Sequence, residues 1–323
     1  MGEWPRVSVI MAVRNEAAAL QDTVGAVLDQ HYPGELDVTI AVAPSTDDTA
    51  GVLETLVKDP RVRVVDNPTG VTPAGLNAAI AASMGDVVVR VDGHAVIPPG
   101  YVRRAVELLD ETGADNVGGI MGAEGETPFE RAVAAAMSSR FGTGDARFHY
   151  GGPPGPVDTV YLGAFRRTAL ERVGGYDESF VRTQDSELNY RLRHSGGMVW
   201  FSPDLRVRYR PRGSMGALAR QYFEYGRWRR VVARRHAGSL RWRQMVAPVT
   251  VTACVGGAAA ATTGRRWGWL PLGGYATGVL TASVVVGRRL PIGVALRLPV
   301  VFAIMHTAWG LGFLTSSPRL ARG

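Results

Sequence analysis

Along residues 1–200, short apolar runs alternate with amphipathic stretches. Val7-Ser8-Val9-Ile10-Met11-Ala12-Val13 has strand length, and Glu16–Gln30 behind it places Leu20, Val24, Val27 and Leu28 on one helical face. Leu36–Val42 is a second strand. Ser45-Thr46-Asp47-Asp48-Thr49 then supplies N-capping side chains before the helix Val52–Val57. Val62–Val65, Pro73–Ser83, Val87–Val91 and Tyr101–Glu111 read as strand, helix, strand and helix. Such alternation predicts an open α/β sheet, whose ligands bind beyond the carboxyl ends of the strands. The chemistry is therefore expected after Val13, after Val42 and after Val91. Further on, a Gly/Pro-rich loop (151–156) precedes a strand near Thr159–Phe165. Gly174-Gly175 ends a short helix, and Gln184–His194 is a helix with acids at its start. Val199–Phe201 and Val207–Tyr209 are short strand candidates.

The pattern changes after residue 200. Gln244–Gly264, Trp267–Gly287 and Leu298–Pro318 are free of Asp, Glu, Lys and Arg, and each is 21 residues long. About 20 residues of helix cross a bilayer core, so about three transmembrane helices are expected; a buried helical hairpin is the alternative. Arg265-Arg266, Arg288-Arg289 and Arg297 stand at or near the segment ends, where their side chains can reach the interface. Charge divides at the same place. Residues 1–199 carry 17 Lys and Arg against 27 Asp and Glu, a net of −10, whereas residues 200–323 carry 19 against 2, a net of +17. Ser214–His236 is amphipathic and basic, with Tyr222, Phe223, Tyr225 and Trp228, and is expected at the membrane interface. Eight arginines lie between Arg220 and Arg243, which puts that end in the cytoplasm by the positive-inside rule and attracts anionic headgroups. Met1-Gly2-Glu3-Trp4-Pro5-Arg6 does not read as a signal peptide, so the first domain is expected to stay in the cytosol. The arginines sit beside apolar spans rather than on a DNA-binding motif, which argues against nucleic acid. Cys254 is the only cysteine, which excludes an intrachain disulfide.

Three places carry candidate chemistry. Asp92-Gly93-His94 follows an apolar run; an Asp and a His two apart at a strand end can turn toward one divalent ion, with Gly93 leaving room for a phosphate. His94 reads equally as a hydrogen-bonded loop histidine. Asp185, in Thr183-Gln184-Asp185-Ser186-Glu187, is either a helix cap or a working carboxylate, and Glu187 two positions on faces elsewhere. Arg227-Trp228, preceded by Gln221, reads as an anion-and-sugar contact or as an interfacial anchor. Neither a Walker A motif nor GxGxxG is present, so kinase and dinucleotide functions lose support.

Taken in order, these motifs resemble family 2 glycosyltransferases. The likeness runs through Val7–Glu16, Ser45–Thr49, Asn67-Pro68-Thr69-Gly70 with Gly75–Ile80, Asp92-Gly93-His94, Gly174-Gly175-Tyr176-Asp177-Glu178 and Gln184–Leu188, over roughly residues 6–235. Within the family it looks like the bacterial exopolysaccharide enzymes of the succinoglycan glucosyltransferase type. The resemblance implies an α/β GT-A fold, a Rossmann-like mixed sheet, followed by C-terminal transmembrane helices. It implies that Arg14, Asn15, Glu16, Asp47, Asn77, Asp92 and Gly93 surround a nucleotide-sugar. It further implies that Asp92 and His94 address a divalent metal, Mn²⁺ or Mg²⁺, that Asp185 is the general base, and that Gln184, Gln221, Arg227 and Trp228 lie on the acceptor side. Val42-Ala43 replace two acids usual in the family, and Gln221 is separated from Arg227-Trp228 by five residues instead of the tighter spacing of processive synthases. A single transfer is therefore expected rather than polymerisation.

The expected organisation is a glycosyltransferase domain over 1–212, a basic interfacial region over 213–243, a membrane region over 244–318 and a tail over 319–323. The expected function is inverting transfer of one sugar from a nucleotide-sugar to a hydroxyl of a lipid-linked saccharide. The enzyme is expected in the cell membrane, multi-pass, with its catalytic domain facing the cytoplasm and membrane lipids as partners. A polyprenyl-phosphate sugar synthase and a non-catalytic membrane scaffold are the alternatives.

Overall fold

The computed structural model describes residues 3–321. Eight strands form one sheet: β1 (Val7–Val13), β2 (Leu36–Val42), β3 (Val62–Asp66), β4 (Val87–Arg90), β5 (Asn116–Ala123), β6 (Gly155–Pro156), β7 (Tyr161–Arg166) and β8 (Val199–Tyr209). Their order is β3-β2-β1-β4-β7-β5-β8-β6. β1 pairs in parallel with β2 and β4, and β2 with β3, whereas β4 and β5 both pair antiparallel with β7. This is the mixed sheet expected from the motif order. Its parallel half is built from near-continuous apolar runs, as strands covered on both faces require. Val7, Val9, Ile10, Met11, Val38, Ile40, Val88 and Val89 are fully buried.

Helices α1 (Leu20–Leu28), α2 (Thr49–Leu56), α3 (Thr72–Ala82) and α4 (Tyr101–Thr112) cross between these strands. The α1 helix is shorter than the apolar period suggested, because residues 14–19 are committed to the turn after β1. β8 runs unbroken through Pro203, joining the two short strands read from the sequence. β5 and the helix α5 (Pro128–Met137) carry no clear sequence signal: Gly118, Gly119 and Gly122 dilute the strand, and a Cβ on Gly119 would lie 1.6 Å from the Leu205 carbonyl oxygen. Thr127 and Glu130 close α5 with a capping box.

The chain forms two compact units that do not follow its linear order. The first comprises residues 1–122 and 151–208, and the second residues 123–150 and 209–323. Within the first, α8 (Arg167–Val173) and α9 (Gln184–His194) follow β7. The second unit holds α5, the short helices α6 (Arg140–Thr143) and α7 (Arg147–Tyr150), then α10 (Met215–Arg235), α11 (Arg243–Thr262), α12 (Leu270–Gly287), α13 (Ile292–Ala295) and α14 (Leu298–Thr315). Residues 123–150 join it through an Arg243–Asp145 ion pair, the Glu130–Arg210 pair at 3.1 Å and His306 Nε2 against the Phe141 carbonyl at 2.8 Å.

Three segments, Arg243–Thr262, Arg266–Gly287 and Ile292–Thr315, are long and apolar enough to cross a membrane, with mean hydropathies of 1.5, 1.4 and 1.6. Large apolar side chains remain exposed on them, among them Val249, Leu270, Val284, Leu296 and Val300. Small residues set the packing. A Cβ on Gly226 would lie 2.0 Å from the Trp309 carbonyl oxygen, and one on Gly312 equally 2.0 Å from that of Phe223. Backbone therefore meets backbone where α10 lies along α14, the close approach that small residues permit. Gly310 in turn rests on Ala247 and Val251, so the last turns of α14 stand beside the first turns of α11.

Candidate active site

The parallel strands end together, and three turns meet at their carboxyl ends. Val13 pairs with Val42, and Ile10 with Arg90. After β1 the chain turns through Asn15 at φ 55°. Asn can hold this left-handed geometry because its short amide bonds locally. Here the Asn15 amide N–H donates to Ser45 Oγ at 3.1 Å, and its Oδ1 accepts from the Thr46 N–H at 2.7 Å. The Glu16 N–H donates to Thr49 Oγ1 at 2.9 Å, and the Ala17 N–H to Asp47 Oδ2 at 3.0 Å. Asp47 also accepts from the Thr49 N–H and hydroxyl, and the hydroxyl bond foremost holds its carboxyl below the usual aspartate value. Asn15 and Asp47 thus build the loops by clamping one turn to the other. Arg14, beside them, is exposed and has no acid partner among the described residues.

After β4, Gly93 packs so tightly that a Cβ would lie 2.9 Å from Val13 Cγ1 and 3.0 Å from Glu16 Cγ; its carbonyl accepts from Thr23 Oγ1 at 3.1 Å. This places His94 Nδ1 2.9 Å from Glu16 Oε1. In the tautomer that donates this bond the ring lone pair resides on Nε2, the arrangement by which a carboxylate orients a metal-binding histidine.

Asp185 is not a cap. The chain enters α9 through Thr183 at φ 61°, with no side-chain capping bond, and the Asp185 carboxylate pairs instead with Arg90. Arg90 Nε and Nη2 also donate to Asp92 Oδ1 at 3.1 and 2.8 Å. One guanidinium, whose side chain is 6% exposed, therefore ties together two acids from strand β4's end and helix α9, distant in the sequence. Arg90 is not among the residues expected at the site; its one signal in the sequence is an arginine amid four valines. Burial pushes the Asp185 carboxyl above the usual aspartate value, the Arg90 charge opposes this, and the Asp92 charge adds to it. Tyr176 is buried in the field of Arg90, and burial pushes its phenol up. Glu187 faces the other way, as its spacing required, and is bound by Arg191 at 2.7 Å.

The remaining candidates are scaffold or lie in the other unit. Asn77 Nδ2 donates to the Tyr176 carbonyl at 2.8 Å and to Glu178 at 3.0 Å, while its Oδ1 accepts from the Tyr176 N–H at 2.8 Å; it clamps the loop after α8. Gly175 there has φ 71°, and a Cβ would come 2.7 Å from Asn77 Oδ1. Gln184 is half-buried at the start of α9. Gln221, Arg227 and Trp228 belong to α10 in the second unit. Gln221 Nε2 donates to the hydroxyls of Tyr209 and Tyr225 at 2.9 and 3.0 Å, Arg227 pairs with Glu224 at 3.2 Å, and Trp228 is 7% exposed.

A divalent cation is tested by the donors on offer. Arg90 takes only Oδ1 of Asp92, and His94 supplies an imidazole. No cluster of three His, Cys, Asp or Glu suited to a metal occurs among the described residues. One carboxylate and one imidazole fit Mn²⁺ or Mg²⁺ only if a ligand such as a diphosphate, together with water, completes the shell of about six.

A mixed sheet with these loops at the carboxyl ends of β1, β2 and β4 is the GT-A architecture. The chain belongs to glycosyl transferase family 2, whose family model matches residues 8–174, and it is a glycosyltransferase. Over 311 residues it is 32% identical to the succinoglycan biosynthesis protein ExoA of Rhizobium meliloti, covering 94% of this chain and 93% of that protein. It is 29% identical over 203 residues to a beta-monoglucosyldiacylglycerol synthase of Synechocystis, covering 58% of this chain and 40% of that one. A mannosyltransferase from Pyrobaculum calidifontis, solved with GDP-Man and Mn²⁺, superposes with a TM-score of 0.67 at 20% identity, over 96% of this chain and 87% of that one.

Proposed function

We propose that the enzyme transfers one sugar, with inversion, from a nucleoside-diphosphate sugar to a hydroxyl of a lipid-linked saccharide at the cytoplasmic membrane face. The observation that carries this reading is the Asp92–Arg90–Asp185 cluster beside the His94–Glu16 pair. Asp185 accepts the proton of the attacking acceptor hydroxyl, help typically worth about 10²–10⁴-fold. Arg14, exposed at the end of β1, meets the charge of the donor diphosphate. Asp92 and His94 hold the divalent cation, which when bound offsets charge on the departing nucleoside diphosphate. Arg90 fixes the Asp185 carboxylate and partly offsets the effect of its burial. The likeness to a succinoglycan biosynthesis protein and to a glucosyl-lipid synthase supports a lipid-borne acceptor and a role in cell-surface polysaccharide synthesis.

The test is donor hydrolysis by purified protein across a panel of sugar nucleotides. One donor is expected to release nucleotide only with Mn²⁺ or Mg²⁺. Because the protein offers two metal donors, Mn²⁺ binding followed by electron paramagnetic resonance should be weak alone and at least about tenfold tighter with the matching nucleoside diphosphate. Equal Mn²⁺ affinity with and without nucleotide would count against a cation shared with the diphosphate.

Three apolar segments were expected to cross, but the end of α14 beside the start of α11 supports both ends of the apolar region lying in the cytoplasm, so that two of the three segments cross and the other stays on one side of the bilayer. Replacing Cys254 by Ala clears the described residues of thiols, so Ala237→Cys and Ser317→Cys can report the side. Both are expected to react with an impermeant maleimide in inverted vesicles and not in intact cells. Labelling of the two positions from opposite sides would rule out this topology.

A further inference from the structure

Three helices of the second unit line an open cavity of about 660 Å³. Its lining is sorted by chemistry. Met245, Val249 and Ala253 of α11 and Phe313 and Leu314 of α14 form an apolar wall, and Arg230 and Arg234, one turn apart on α10, form a charged end. Arg230 Nη1 donates to the carbonyls of Phe313 and Leu314 at 3.0 and 3.2 Å, and its guanidinium stands 5.3 Å over the Phe313 ring. Arg234 donates to the Ser316 carbonyl at 2.8 Å. These bonds serve the open carbonyls at the end of α14, but carbonyl dipoles do not neutralise two unit charges. Among the described residues neither arginine has an acid partner, and the last acid of the chain, Glu224, pairs with Arg227. Desolvation and the Arg230 charge together hold the Arg234 guanidinium below its ordinary value.

We propose that this cavity binds an anionic phospholipid of the bilayer, its phosphate held by Arg230 and Arg234 and one acyl chain laid along the apolar wall between α11 and α14. Two adjacent guanidiniums recognise a phosphate. The apolar wall selects a lipid over a soluble anion, and it continues into the exposed Val246, Val249 and Leu314. Lipid binding here does not depend on which sugar is transferred.

Native mass spectrometry of the full chain released from nanodiscs of equal phosphatidylglycerol and phosphatidylcholine tests it. The wild type is expected to retain one phosphatidylglycerol in preference. Arg230→Gln with Arg234→Gln should lower the ratio of retained phosphatidylglycerol to phosphatidylcholine by about tenfold or more, since each basic residue near a membrane surface contributes about one kcal/mol. Because both arginines also serve α14, Ala253→Phe supplies an independent variant: it fills the wall, leaves the arginines and should lose the lipid while still binding sugar nucleotide. Equal retention of the two lipids by the wild type, or wild-type retention by Ala253→Phe, would overturn the proposal. So would displacement by inorganic phosphate at low millimolar concentration, which marks a plain anion site, or by an equimolar polyprenyl phosphate, which marks an acceptor site.

Discussion

Asp185→Asn is expected to lower kcat by about 10²–10⁴-fold while leaving nucleoside diphosphate and Mn²⁺ binding unchanged. Asn keeps an oxygen that accepts from Arg90 and fills the same volume, so the fold around α9 should survive. What it removes is the capacity to take a proton. On the proposed roles the acceptor hydroxyl is then not activated, whereas Arg14, Asp92 and His94, proposed for the donor side, are untouched. Single-turnover transfer compared with isothermal titration of the nucleotide separates the two effects. Full turnover in the Asn variant would remove Asp185 from the mechanism, and it would favour a phosphate acceptor, which needs no strong base. Wild-type transfer should also decline toward acid at a higher pH than an unperturbed aspartate would give, because burial raises the Asp185 carboxyl and only the ionised form accepts a proton.

Arg90→Met is expected to cost both stability and activity. It leaves Asp92 and Asp185 facing one another without the cation between them. Removing one partner of a fully buried ion pair costs about 3–5 kcal/mol. The two acids are 28% and 37% exposed, so solvent screening brings the expected loss to the lower end of that range or below it. The sign with pH follows from the carboxylates. Near neutrality the Asp185 carboxylate is charged and has lost its counter-ion, so the deficit is largest there and shrinks as acid protonates it. Thermal unfolding of wild type and variant between pH 7 and 4 measures this convergence. Arg90→Lys should recover much of the stability and little of the rate, because one ammonium cannot hold two carboxylates in a fixed fork. A parallel, pH-independent offset for Arg90→Met would mean that the arginine acts through packing rather than charge.

The fold was legible where burial leaves a periodic trace. β1 and β2 are apolar runs covered on both faces, and their ends coincide with the residues read from the sequence. α9 was equally clear, since its acids stand in the first turn and Leu188 and Leu192 obey the helical period. β5 and α5 were not, because glycines at 118, 119 and 122 are there for close approach to neighbouring backbone and side chains, a demand that only the neighbours define. The candidate site was legible as a set of residue types and illegible as a set of roles. Asp47, Asn15 and Asn77 look like ligand contacts in a list of motifs, yet Asp47, Asn77 and the Oδ1 of Asn15 also hold turns together. Arg90 looks like an interruption in a strand, yet it joins the two acids of the site.

By itself the sequence determined the alternation of strands and helices, the segregation of charge between the two halves, three apolar segments of membrane length and the family motifs in order. Each of these is local: it depends on period, spacing or composition within a few turns of chain. Only the tertiary structure decided that Asp185 meets Arg90 instead of capping its own helix, and that His94 is held by Glu16 from another turn. It also decided that residues 123–150 pack with the C-terminal helices and that the end of α14 lies beside the start of α11. These pairings join residues tens of positions apart or more. Nothing in a local pattern encodes which distant carboxylate a buried guanidinium will find; that is settled when the fold brings the strand end and α9 together and the buried charge requires a partner.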